Sequence, residues 1–182
     1  MSPIQANTIK VSREERQQEL LQNAKVIWMT GLPGSGKTTN AHLLERKLFS
    51  AGFLCKILDN DEMTHGLNSD LSSGIGTENT RRVAEVAKLM VDTGIIVIYS
   101  LICPTQTDRD IARAIIGDDD FVEVFIDASF AVCESRNETT SNSISTSFEV
   151  PNSPQITINT GEETPEATAQ KLFEQIYPLI SF

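Results

Sequence analysis

The octapeptide Gly31-Leu32-Pro33-Gly34-Ser35-Gly36-Lys37-Thr38 fits the pattern G-x-x-x-x-G-K-S/T in full. Each residue type has a task that phosphate chemistry imposes. Glycines let successive backbone N–H groups turn inward around phosphate oxygens, and a helix opening at Lys37 aims the positive end of its dipole at them. Lys37 supplies a mobile point charge for the β- and γ-phosphates, and the Thr38 hydroxyl is a Mg²⁺ ligand. Such an octapeptide can arise by chance, so its flanks decide. Val26-Ile27-Trp28-Met29 before it reads as a strand, and Ala41, Leu44 and Leu48 after it recur at helical spacing until Gly52. A glycine-rich turn without a ligand requires neither flank. Gly31 through Thr39 are therefore the expected nucleotide-binding residues, with Lys37 also catalytic. No N-K-x-D guanine-recognition motif follows, which makes ATP with Mg²⁺ the expected cofactor.

A second group of chemistry-bearing residues follows Leu54–Leu58, which reads as strand and opens into Asp59-Asn60-Asp61. In open α/β sheets ligands sit beyond the carboxyl ends of the strands. Alternate residues of an extended chain face the same way, so both carboxylates can address one site. One could hold Mg²⁺ through water while the other orients or deprotonates an attacking hydroxyl. The alternative is a polar turn capped by two aspartates.

The elements that must position these groups follow from the rest of the chain. Ser12-Arg13-Glu14-Glu15 is a capping box, opening a polar helix to about Asn23 within a polar N-terminal stretch, 1–24. Met63 to Gly76 reads as loop, Glu78 to Asp92 as helix, and Ile95 to Tyr99 as a strand buried on both faces. A helix over about Thr107–Ile116, a strand over Phe121–Ile126, and a short strand over Gln155–Asn159 continue the alternation. Thr164-Pro165 starts a last helix. Asn137 to Ser147, inside the stretch 137–153, is a polar, lid-like tract of Ser, Thr and Asn. The pattern implies a single α/β domain of 182 residues, doubly wound, with a mostly parallel five-stranded sheet and helices on both faces.

With 25 acidic and 15 basic residues the net charge is −10, which disfavours nucleic acid and anionic membrane as partners. No apolar run approaches the roughly 20 residues of a membrane span. Three scattered cysteines and the lack of an apolar leader fit a reduced, cytoplasmic setting.

Taken together, the residues resemble adenylylsulfate kinase, which phosphorylates the 3′-hydroxyl of adenosine 5′-phosphosulfate. The similarity runs from Trp28-Met29-Thr30-Gly31-Leu32 through Leu58-Asp59-Asn60-Asp61, His65-Gly66-Leu67-Asn68-Ser69-Asp70-Leu71 and Glu78-Asn79-Thr80-Arg81-Arg82. It continues through Ile102-Cys103-Pro104, Asp108-Arg109, Phe121 to Asp127, and Val132-Cys133-Glu134-Ser135-Arg136. The resemblance implies Asp61 as base and magnesium-associated carboxylate, and Arg136 beside the adenine of ATP. It also implies that Asn79 and Ile102 line a pocket for a small-molecule acceptor, adenylylsulfate or a related nucleotide. Asp59, Arg82, Cys103 and Arg109 are the further candidates there, and a homodimer is left open.

Four positions depart from the family. Thr64 stands where it has arginine, and Ser72 to Thr77 is about two residues shorter and lacks its aromatic and second arginine. Cys103 replaces its serine, and the Ser/Thr/Asn tract replaces its lysine-rich lid. A charge-assisted contact is worth about 1.5–3 kcal/mol, so losing two costs on the order of 10²-fold or more in affinity. Arg81, Arg82 and Arg109 could restore charge or stay solvated, and Phe148 could replace the aromatic. Three functions remain open: adenylylsulfate kinase, kinase for another nucleotide-like acceptor, or weakly catalytic ATP-binding regulator.

Overall fold

A strand buried on both faces needs apolar side chains along its length, and β1 (Val26–Thr30) has them from Val26 to Met29, while buried Thr30 bonds the Cys103 carbonyl. Val26 and Trp28 point to one face, Ile27 and Met29 to the other. The computed structural model describes residues 10–59, 62–71, 76–101, 103–136 and 148–182. The expectations for Asp61, Ile102 and the tract 137–147 lie outside these residues. β1 is flanked by β3 (Ile96–Tyr99) and β4 (Phe121–Asp127), with β2 (Cys55–Leu58) and β5 (Ile156–Asn159) beyond them. The order is β2-β3-β1-β4-β5 and every pairing is parallel. Parallel pairing forces crossover helices, which cover both faces. On one side lie α2 (Lys37–Ser50) and α6 (Pro165–Ile180), burying Leu44, Leu48, Leu172 and Ile176 against the isoleucines of the sheet. On the other lie α3 (Thr77–Asp92) and α4 (Gln106–Ile116), burying Val83, Ala87, Ala112 and Ile116 around Trp28. Trp28 stacks on Tyr99 with ring centroids 3.5 Å apart. The connection from β1 runs past β3 to β2 while that from β3 runs past β1 to β4, so a crevice opens above the carboxyl ends of these central strands.

The predicted elements differ from the observed ones in instructive places. α1 (Arg13–Leu20) keeps its capping box but stops short of Asn23, because Leu21 turns left-handed at φ 52°. That turn sends Gln22 into the core, where Nε2 donates to the Leu54 and Gly94 carbonyls. Gln22 Oε1 accepts the Leu54 N–H at 2.8 Å, and β2 begins one residue later than expected. The loop expected after Asp61 contains a π-helical turn, Met63–Leu67. A helix the sequence pattern did not signal, α5 (Phe130–Arg136), buries only Cys133 and so has no apolar stripe.

One buried ion pair ties α4 to the sheet. Arg109 and Glu123 are 1% and 2% exposed, with Nε 2.9 Å from Oε1, and Arg113 reaches the same carboxylate at 3.3 Å. Glu123→Ala leaves the Arg109 cation buried without its counter-charge. It is expected to destabilise the fold by about 3–5 kcal/mol, read as a lower denaturation midpoint. An unchanged midpoint would show that the pair does not anchor α4.

Candidate nucleotide-binding and phosphotransfer site

The loop from Gly31 to Gly36 sits in the crevice above β1. A Cβ at Gly31 would run into the Ile126 carbonyl oxygen and come within 2.8 Å of Ser35 Oγ, so the loop can press against β4 only as glycine. Gly34 and Gly36 have φ of 82° and 96°, the left-handed region that favours glycine, and Gly36 is the N-cap of α2. The loop is then pinned from the far side. Thr160, just past β5, donates its hydroxyl to the Ser35 carbonyl at 2.6 Å, and its own carbonyl accepts from Arg136 Nη2 at 2.7 Å. Asn40 Nδ2 donates to the Gly36 carbonyl while Oδ1 accepts the Thr168 hydroxyl, bolting α2 to α6.

Inside this frame Lys37 is 7% exposed, and its Nζ donates to the Gly31 and Leu32 carbonyls at 2.9 Å each. No carboxylate pairs with it among the described residues. Burial therefore pushes its pKa down to about 8. Thr38 and Thr39, in the first turn of α2, are exposed. Beside them a cleft of about 360 Å³ is lined by Gly36, Thr39, Asn40, Arg136, Thr160 and Thr168.

The other half of the crevice is built by β2, α3 and the loop before α4. Asp59 Oδ1 accepts the Glu62 N–H at 2.8 Å, so this carboxylate caps the following turn. Asn79, in the first turn of α3, is 1% exposed and its Oδ1 accepts from Asn68 Nδ2. Arg82 grips Asp70 with two bonds, 2.6 and 2.9 Å, and also bonds Glu78. These acidic partners hold its pKa above the ordinary value. Asp108 joins the two helix starts, accepting from Thr77 and from Thr105 at 2.7 Å.

Two expected acceptor contacts have other work in the fold. Arg109 donates from Nη1 to the Cys103 and Pro104 carbonyls and from Nη2 to Gln106 and the Glu149 carbonyl, besides pairing with Glu123. It shapes the loop after β3 instead of offering a free guanidinium. Cys103 is 3% exposed, its Sγ 3.9 Å from Thr80 Oγ1, and burial pushes the thiol up to about 12, which disfavours the thiolate. Phe148 stacks on Phe125 at 6.2 Å and lies 6.0 Å from the Arg109 guanidinium carbon.

The model of the adenylylsulphate kinase family matches residues 23–159. The chain belongs to that family. An adenylyl-sulfate kinase of Clostridium acetobutylicum is 43% identical over 181 residues, covering 92% of this chain and 90% of that protein. The chloroplastic adenylyl-sulfate kinase 1 of Arabidopsis thaliana is 53% identical over 129 residues, 70% of this chain and 47% of its own length. Among solved structures, the Mycobacterium tuberculosis APS kinase in complex with AMPPNP and APS superposes with a TM-score of 0.77. That match has 32% identity and covers 85% of this chain and 98% of that one. The adenylylsulphate kinase relationship thus extends across both halves of the crevice.

Sequence reasoning missed Asn40, Thr160 and Thr168, which brace the glycine-rich loop and line the cleft beside it. Thr160 had a signal, since it follows a strand whose carboxyl end borders the site; the Asn40–Thr168 bond joins residues 128 apart and had none. Among the described residues no cluster of three His, Cys, Asp or Glu could hold a metal, and no helix is long and apolar enough to cross a membrane.

Gly31→Ala tests the seating of the loop. It is expected to cost about 1–3 kcal/mol of stability by overpacking against Ile126, with loss of nucleotide binding in a titration. Wild-type stability and binding would show that the close approach is not required.

Proposed function

We propose that this chain transfers the γ-phosphoryl group of ATP to the 3′-hydroxyl of adenosine 5′-phosphosulfate. The observation that carries the reading is the Lys37 ammonium, buried in a glycine-rich loop at the sheet's crevice with only backbone carbonyls as partners among the described residues. A buried cation of this kind is completed by an anion that the ligand brings. Loop N–H groups and Lys37 would hold the β- and γ-phosphates, and Arg136 with the neighbouring cleft would take the adenine end. Mg²⁺ arriving with the nucleotide suits the exposed Thr38 hydroxyl and Asp61, and would supply charge neutralisation on the phosphates. Asp61 would accept the 3′-hydroxyl proton as that oxygen forms its bond to the γ-phosphorus. The γ-phosphorus bond to the β-γ bridging oxygen breaks and ADP leaves.

A second reading, a kinase for a different nucleotide-like acceptor, draws on one observation. Arg82 and Arg109, the candidate cations for the acceptor, are paired with Asp70, Glu78 and Glu123. ADP release measured with adenylylsulfate and with a panel of nucleosides separates the two. The expected result is adenylylsulfate-dependent ADP release that Asp61→Asn lowers in kcat by about 10²–10⁴-fold. No adenylylsulfate-dependent turnover above the ATPase background would overturn the reading.

Lys37 sets the pH dependence of donor binding. Bound phosphates favour the charged amine, so its pKa in the complex lies above the free value of about 8. Between those two values binding takes up a proton and weakens as pH rises, by about tenfold per pH unit. Calorimetry at pH 9 in buffers of different ionisation enthalpy should detect uptake approaching one proton. Flat affinity with no uptake would remove Lys37 from the donor site.

A further inference from the structure

Two buried amides in the acceptor half are left half-satisfied. Asn68 and Asn79 are each 1% exposed, and Asn68 Nδ2 donates to Asn79 Oδ1. Asn68 Oδ1 and Asn79 Nδ2 have no hydrogen-bond partner among the described residues. Two equally buried amides elsewhere use both ends: Gln22 bonds Leu54 and Gly94, and Asn40 bonds Gly36 and Thr168. A buried amide atom with no partner is costly and rare, so a pair of them in a candidate site is a demand that a ligand can meet.

The fold fixes the backbone that carries this pair. Asn68 ends the π-helical turn, its N–H donating to the Met63 carbonyl at 2.8 Å and its carbonyl accepting from Leu71 at 3.0 Å. Turns of this kind recur at functional sites. Arg82, three residues beyond Asn79 on the same helix face, straddles Asn68 by bonding the Leu67 carbonyl and both Asp70 carboxylate oxygens.

We infer that Asn68 is a positioning residue for the acceptor: by occupying Asn79 Oδ1, it leaves Asn79 only an Nδ2–H donor with which to read an acceptor oxygen. The inference rests on the proposed placement of Asn79 in the acceptor pocket. It assigns polarity as well as location, because an Asn79 free to turn could serve as donor or as acceptor of a hydrogen bond. The phosphosulfate and ribose groups of adenylylsulfate present oxygens, which a fixed donor suits.

The test is Asn68→Asp. A carboxylate at this position can only accept, so Asn79 turns its donor toward it and offers its carbonyl oxygen to the acceptor. KM for adenylylsulfate is expected to rise about tenfold or more, with KM for ATP unchanged and nucleotide-bound melting close to wild type. An unmoved KM for adenylylsulfate, or a parallel rise in both KM values, would overturn the inference. If Asn68→Asp folds poorly, Asn68→Ser and Asn68→Ala replace it. Serine keeps a donor and should stay nearer the wild-type KM than alanine, while equal values would overturn the inference. A wild-type protein without adenylylsulfate turnover would overturn the functional reading and this inference with it; wild-type turnover with an unaffected Asn68→Asp would overturn the inference alone.

Discussion

Keeping the ammonium of Lys37 buried is the constraint around which the crevice is organised. Removing a cation from water is unfavourable unless other groups compensate, and here two backbone carbonyls at 2.9 Å do so only in part. The residual cost appears as the amine's depressed pKa. The surroundings keep that arrangement from relaxing. Gly31 brings the loop hard against the Ile126 carbonyl, Thr160 holds Ser35 from β5, and Asn40 locks the first turn of α2 to α6. A loop clamped at three points cannot swing its lysine into solvent. Under the proposed function, the anion of a bound nucleotide would complete this arrangement.

The acceptor half is organised on the opposite principle. Its cations are neutralised internally: Arg82 by Asp70 and Glu78, Arg109 by Glu123. These pairs fix backbone, since Arg82 also bonds the Leu67 carbonyl and Arg109 the carbonyls of Cys103, Pro104 and Glu149. Under the proposed function, recognition there would fall to neutral groups such as Asn79, which distinguish donor from acceptor but add no net charge. On the same proposal, the cation kept for the triphosphate is Lys37, in a chain of net charge −10.

The sheet and the phosphate loop were legible in the sequence because both are local patterns. Ile95-Ile96-Val97-Ile98-Tyr99 reads as a strand covered on both faces, of which β3 takes Ile96–Tyr99, and the glycine spacing around Lys37 carries its own backbone geometry. Thr164-Pro165 marked the start of α6 for the same reason. What escaped depends on partners distant in the chain. Nothing near Arg109 says that it meets Glu123, and nothing near Asn40 points to Thr168. For the Asp59 carboxylate the sequence offered a ligand or a turn, and the bond that Oδ1 accepts from the Glu62 N–H depends on a local turn no pattern signalled. α5 was missed because a seven-residue helix burying one side chain leaves no periodic signal.

The most direct measurement is the pKa of the Lys37 amine itself, followed by NMR through the Nζ or Cε resonance with Lys37→Arg to assign it. A midpoint near 8 in the free protein that moves upward when nucleotide is added is the expected result. A midpoint at the ordinary lysine value of about 10.4, unmoved by nucleotide, would contradict the account, because the loop would then hold no uncompensated charge for a phosphate to complete.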